Sequence, residues 1–194
     1  MTGKTGSKRG YIGASFKSAV EFIQQRGLAK QVLAECSPET AKLVEKPPVI
    51  LTWMDAKPLD EIETLIAKHA GRQACVDLGL EAARKLGGTM VQPVLRLAMT
   101  LFGQTPATLL ANLDRFYPLV TSGLHFDYEA VSDNEGVVKM TCDGPEVPPA
   151  VFDVTRGNLM YMIELCQRQG VVEAPQVVSS DPTATVVHYR ARWS

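Results

Sequence analysis

The run GLHFDYEAVSDNEGVVKMTC, residues 123–142, decides the fold class, because the hydrophobic period changes there from 3.6 to 2. Leu124, Phe126, Tyr128 and Ala130 alternate with His125, Asp127 and Glu129, the mark of a half-buried strand. Ser132-Asp133-Asn134-Glu135-Gly136 reads as a turn, and Val138, Met140 and Cys142 share one face of the returning strand. Pairing Val131 with Val137 sets Ala130 against Val138, Tyr128 against Met140 and Phe126 against Cys142, with Glu129 opposite Lys139 on the outer face. A slip of one residue would turn every apolar side chain to water.

Downstream, Pro148-Pro149 opens a helix carrying Phe152, Leu159, Tyr161, Met162, Ile163 and Cys166 to about Gln169. Two further strands are predicted over 171–179 and 184–193; Val187, Tyr189, Ala191 and Trp193 face inward, opposite His188, Arg190 and Arg192. Upstream the pattern is helical. Short helices are predicted from Ser15, from Leu28 and from Ser37-Pro38, the last with a serine cap and proline at the first helical position. Lys46-Pro47-Pro48 forces an extended passage into Val49–Trp53, where Trp53 is expected to fill a core gap. Pro58 starts a helix with Leu59, Ile62, Ile66 and His69 on one stripe, and Asp60, Glu61 and Glu63 near its positive end. A second stripe runs Cys75, Leu78, Ala82, Leu86, and Thr105-Pro106 opens a helix to Pro118. Between them, TMVQPVLRLAMTLFG (89–103) is apolar nearly all round and reads as a buried core helix, too short to span a bilayer. Helices, hairpin, helix, hairpin give an α+β fold with a helical N-terminal part packed on a four-stranded antiparallel sheet. Residues 1–10 read as a flexible tail and 11–194 as one domain: 11–57 a helical extension, 58–122 a helical core, 123–194 hairpin-helix-hairpin.

A net charge of −1 gives no pull towards nucleic acid or anionic lipid. No apolar run reaches the length of a membrane span and no secretory leader is evident, so a cytoplasmic location is expected. Four scattered cysteines without a CxxC pair read as buried free thiols. Gly3-Lys4-Thr5 lacks the preceding strand and glycine that a phosphate loop needs.

Catalytic motifs are missing. His69 lies on an apolar stripe, His125 and His188 lie on outer strand faces, and no metal-ligand spacing occurs. Asp60-Glu61 and Asp127 with Glu129 read as solvated acids, and the serines as caps and turns. Cys166 and His125 are the handles an enzyme reading would use. What exceeds background is apolar and aromatic material. Met99, Phe102, Phe126, Tyr128, Met140, Tyr161, Met162, Cys166 and Tyr189 are expected to converge between helices and sheet, either filling that space or lining a site for an apolar ligand.

EFIQQRGL (21–28), SPE (37–39), TWMD (52–55), FGQTPATL (102–109) and the closing Tyr189-x-Ala191-x-Trp193 resemble a set of uncharacterised myxobacterial paralogues. Over roughly 59–193 the chain is more distantly similar to 4-vinyl-reductase-type and haem nitric-oxide-binding domains. That resemblance implies sensing rather than turnover. Haem binding there uses a helical histidine and a Tyr-x-Ser-x-Arg signature, and Tyr189-Arg190-Ala191-Arg192 departs from it. The expectation is therefore a non-catalytic regulatory or sensory module for a small apolar ligand or a partner protein, homodimer included, with no cofactor. The alternatives are a gas sensor with His69 on a haem iron, or an enzyme without a recognisable motif.

Overall fold

The computed structural model describes residues 9–88, 93, 99–100, 103–144 and 147–194. Thr89, the core of the 89–103 helix and Phe102 thus fall outside the described residues; Met99 is half-buried against the C-terminal core.

Strand β1 (Gly10–Ile12) runs into helix α1 (Gly13–Gln25). No side chain caps α1; its first amides are met by the extended loop beside it, Gly13 N–H donating to Thr52 O and Ala14 N–H to Ile50 O. That approach needs glycine, since a Cβ at Gly13 would sit 2.3 Å from Val49 O. Helices α2 (Ala29–Glu35) and α3 (Pro38–Glu45) follow, and Ser37 Oγ accepts from Thr40 N–H at the start of α3. Strand β2 (Trp53–Asp55) leads to α4 (Lys57–Ala70) and α5 (Arg72–Gly87). Trp53 is 51 % exposed, so it plugs nothing.

The expected helix over 105–118 is broken into α6 (Pro106–Leu110), α7 (Leu113–Phe116) and a 3-10 turn over Tyr117–Leu119. Strand β3 (Thr121–Ser122) then pairs with β1, which also pairs with β2. This small antiparallel sheet, β2-β1-β3, was not legible in the sequence, because its strands are two or three residues long and far apart. It clasps the start of the chain to the residues just before the main hairpin.

The main sheet is antiparallel, β4 (Leu124–Ser132), β5 (Glu135–Asp143), β8 (Ala184–Trp193), with β6 (Gly170–Val172) and β7 (Gln176–Ser180) sharing the far edge of β8. The hairpin register differs from the expected one by two residues. Phe126 faces Met140, Tyr128 faces Val138, and Asp127 rather than Glu129 faces Lys139. A tight turn at Asp133-Asn134 plus an irregularity between Ala130 and Ser132 replaces the longer loop. A shift of two keeps every side chain on its face, so the alternation survives. The outer face is tied by Glu135 to Arg190 (3.2 Å) and Arg192 (3.3 Å), and by Glu173 to Arg192 (3.0 Å).

Helix α8 (Pro149–Leu165) crosses the inner face and stops at Gln167, whose φ of 56° ends the helical run before Gly170. Two apolar cores result. One, from α1, α4 and α5, holds Phe16, Ile23, Ile62, Ile66 and Cys75; the other, from the sheet, α6, α7 and α8, holds Leu113, Phe126, Met140, Leu159 and Tyr189. The seam between them is closed by glycine. A Cβ at Gly79 of α5 would lie 2.0 Å from Val154 O, and one at Gly157 of α8 would lie 2.1 Å from Val76 O. Backbone therefore packs on backbone there.

Candidate ligand cavity

A cavity of about 110 Å3 lies where the two cores meet. Helix α4 contributes Leu59 and Glu63, helix α5 contributes Leu78, Ala82 and Leu86, and helix α8 contributes Val151, Val154, Asn158 and Met162. Ala19, Phe116, Tyr117 and Leu124 complete its apolar walls. Each is there because of periodicity: Leu59 and Glu63 are four apart on α4, and Leu78, Ala82 and Leu86 follow the same spacing on α5.

Two polar groups break the apolar lining without a hydrogen bond of normal geometry among the described residues. Glu63 is 3 % exposed and its Oε2 makes no hydrogen bond. Burial pushes its carboxyl well above the usual range, Asp60 adds to this, and Arg9 opposes it. Arg9 is occupied, since its guanidinium forks onto both Asp60 carboxylate oxygens. Tyr11, beside this group, is likewise raised by burial and then by Glu63 and Asp60. Tyr117 is 7 % exposed, its ring held 4.2 Å from that of Phe126. Burial raises its hydroxyl and Asn158 partly opposes the shift, yet no hydrogen bond of normal geometry reaches the oxygen.

Sequence reasoning missed Glu63. It was read only as a charge near the positive end of its helix, and Asp60 as a solvated acid; both are buried. The signal was present: Glu63 stands four residues after Leu59 and three before Ile66, on the stripe itself. Of the residues expected to line a ligand site, Tyr161 and Met162 line the cavity. Phe126, Met140, Cys166 and Tyr189 pack in the C-terminal core instead, Tyr189 donating from its hydroxyl to Phe152 O (3.1 Å). Tyr128 lies flat on Gly136 at the sheet, away from the cavity. His69 ends α4 with Nε2 3.1 Å from Glu35, and His125 is exposed beside Asp143 (3.4 Å); neither reaches the cavity. Asp60, Cys36, Cys75, Cys142 and Cys166 form no metal-holding group, and none is found among the described residues; all four thiols are free. No helix among the described residues is long and apolar enough to cross a membrane.

No family model and no curated protein sequence matches the chain. Solved structures do. An H-NOX protein variant from K. algicida, Fe(II) and unliganded, aligns with a TM-score of 0.66 at 10% identity, over 94% of this chain and 96% of that one. A doubly substituted Tt H-NOX gives 0.65 at 10% identity over 94% and 95%. An oxygen-binding H-NOX domain related to soluble guanylate cyclases, in its oxygen complex, gives 0.62 at 10% identity over 94% of each. The chain therefore has the H-NOX-like α+β fold.

The likeness corrects the expectation that no cofactor goes with this architecture. One neighbour was solved in work on haem redox potential and porphyrin distortion, and another is named for its Fe(II) state. Haem is thus the cofactor to test, and the donor set can be compared with it. Haem iron accepts histidine, thiolate, methionine or tyrosinate as axial ligand. The described cavity wall carries no histidine or cysteine, but it does carry Tyr117, whose oxygen meets only the Asn158 amide, and Met162. The fit is to an oxygen donor rather than to imidazole.

Proposed function

We propose that this chain is a non-catalytic sensory module, in which an apolar small molecule seated between the two cores is the signal. The observation that supports this most is the cavity itself, nearly all apolar and walled by every long helix described. At about 110 Å3 it is smaller than the engineered core cavity of about 150 Å3 that takes benzene or xenon, which restricts the ligand to a compact one. Ligand occupancy would tie α4 and α5 to α8, changing how firmly the two bodies are joined, which is a usable output for a sensor. The finer kinship with the myxobacterial paralogues belongs to this proposal.

Benzene as a probe tests it. At one hundred times its dissociation constant a ligand adds about 2.7 kcal/mol to stability, a rise of roughly 5–10 °C for a domain of this size. Ala82→Phe, which fills the space, should remove that rise. A melting temperature indifferent to benzene counts against the reading.

The buried Tyr117 oxygen, which makes no hydrogen bond of normal geometry among the described residues, favours a second reading, that the same space accepts haem. Tyr117 would hold it, and haem would supply an iron able to bind a gas. A porphyrin is larger than the cavity as it stands, so α5 and α8 would have to part to admit it. Haemin titration of the full chain checks this: a visible absorption band lost in Tyr117→Phe and kept in His69→Ala is expected. A colourless chain after titration ends the haem reading.

A further inference from the structure

The two buried polar groups say more about the ligand than the cavity's size does. Both Glu63 and Tyr117 are more than nine-tenths buried and both face the same apolar space; Glu63 Oε2 has no hydrogen-bond partner among the described residues, and Tyr117 has only a loose approach from the Asn158 amide as a donor, which leaves its O–H free to donate. A buried polar group without a partner costs free energy, so such groups are rare and mark a missing water, ion or ligand. The surroundings restrict which of these fits. Arg9, the cation among the described residues that acts on Glu63, is already forked onto Asp60, and no lysine or arginine is among the described residues lining the cavity. Among the described residues an anionic ligand would find no counter-charge on the cavity wall and would face Glu63.

Glu63 as a neutral carboxylic acid has one O–H to give, and Tyr117 has another. Burial and then the neighbouring Asp60 disfavour a negative charge on Glu63, while Cys75 donates its Sγ–H to the Glu63 backbone oxygen and leaves the carboxyl free. Both open positions are therefore donors. From these placements we infer that the cavity selects a compact, uncharged ligand bearing a hydrogen-bond acceptor, a cyclic ketone or its like, received by the O–H groups of Glu63 and Tyr117. The inference rests on the sensory reading above and sharpens it from "apolar" to "apolar with one acceptor".

Cyclopentanone and methylenecyclopentane separate the two ideas. They share a ring and shape, and differ in an oxygen replaced by CH2. With the full chain at pH 6, calorimetric titration should show cyclopentanone binding about tenfold tighter, and butanoate not at all. Glu63→Gln, which still donates, should keep most of that preference; Glu63→Leu and Tyr117→Phe should each cut it. The Leu variant removes an isolated buried carboxyl and so folds at least as well as the parent. Equal binding of the two rings, or a preference untouched in both Glu63→Leu and Tyr117→Phe, overturns the inference and leaves the sensory reading standing. Binding of butanoate as tight as cyclopentanone also overturns it. Failure of both rings to bind removes the cavity as a site and takes the sensory reading with it.

Discussion

Gly157→Ala sets two effects of opposite sign against each other. In an open helix, alanine for glycine stabilises by about 1 kcal/mol, which would raise the melting temperature by roughly 2–4 °C in a chain of 150–250 residues. Here the new Cβ would lie 2.1 Å from Val76 O and 2.6 Å from Leu80 N, against 3.4 Å for ordinary contact. Both opposing atoms are backbone of α5, so no side chain can swing aside. The helices must part by about 1 Å, and overpacking of that kind costs about 1–3 kcal/mol, with rigid opposing backbone placing this case at the upper end. The clash wins. A net loss of about 2 kcal/mol is expected, seen as a melting temperature lower by roughly 4–8 °C in calorimetry and a lower urea midpoint with unchanged slope. Because α5 and α8 supply much of the cavity wall, benzene should also bind more weakly. A Gly157→Ala chain as stable as the parent, or more so, would refute the backbone-on-backbone seam.

Three further outcomes follow from the buried charges and the cavity. Glu63 keeps its proton in the folded chain above its ordinary value of about 4.5, whereas the unfolded chain releases it there. Stability is thus full below that pH and falls as pH rises towards the folded value, so the gain of Glu63→Gln over the parent should grow from pH 4.5 to 7 in urea unfolding; a constant difference would show Glu63 to be ionised and paired. Arg9→Met strands Asp60, whose side chain is 11 % exposed, and should cost about 3–5 kcal/mol; a loss below 1 kcal/mol would make the pair a surface contact. His69→Ala should leave binding of any cavity ligand unchanged, because His69 pairs with Glu35 at the far end of α4; weakened binding in that variant would relocate the site.

What the sequence revealed was periodicity, and what it hid was length and pairing across distance. The alternation over 124–142 and 184–193 named both faces of the sheet correctly, since a face is set by a period of two whatever the register. The register itself escaped by two residues because it is set by turn geometry, and Asp133-Asn134 makes a shorter turn than the polar cluster suggested. Ser37-Pro38 and Thr105-Pro106 announced their helices because a cap acts within three residues. The β1 clasp could not be read, since three-residue strands carry no period. Tyr161 and Met162, two of the nine residues the sequence pointed to, sit on the cavity wall. Glu63 and Asp60 were not legible: Asp60 was read as a solvated acid and Glu63 only as a charge near the helix's positive end, where its place on the stripe said interior. Tyr117 was legible only as part of the helix expected to end at Pro118. That its hydroxyl lacks a hydrogen bond of normal geometry depends on what lies across the cavity, which no local pattern encodes.

Methyl resonances of Met162, Leu78 and Val154, followed by carbon-13 spectroscopy during titration with cyclopentanone, test the central claim most directly. Their side chains approach the cavity from α8 and α5. Saturable shifts at these methyls, with the Met140 methyl in the sheet core unmoved, are the expected result. Shifts that never saturate, or that spread evenly over the chain's methyls, would contradict a ligand seated between the two cores.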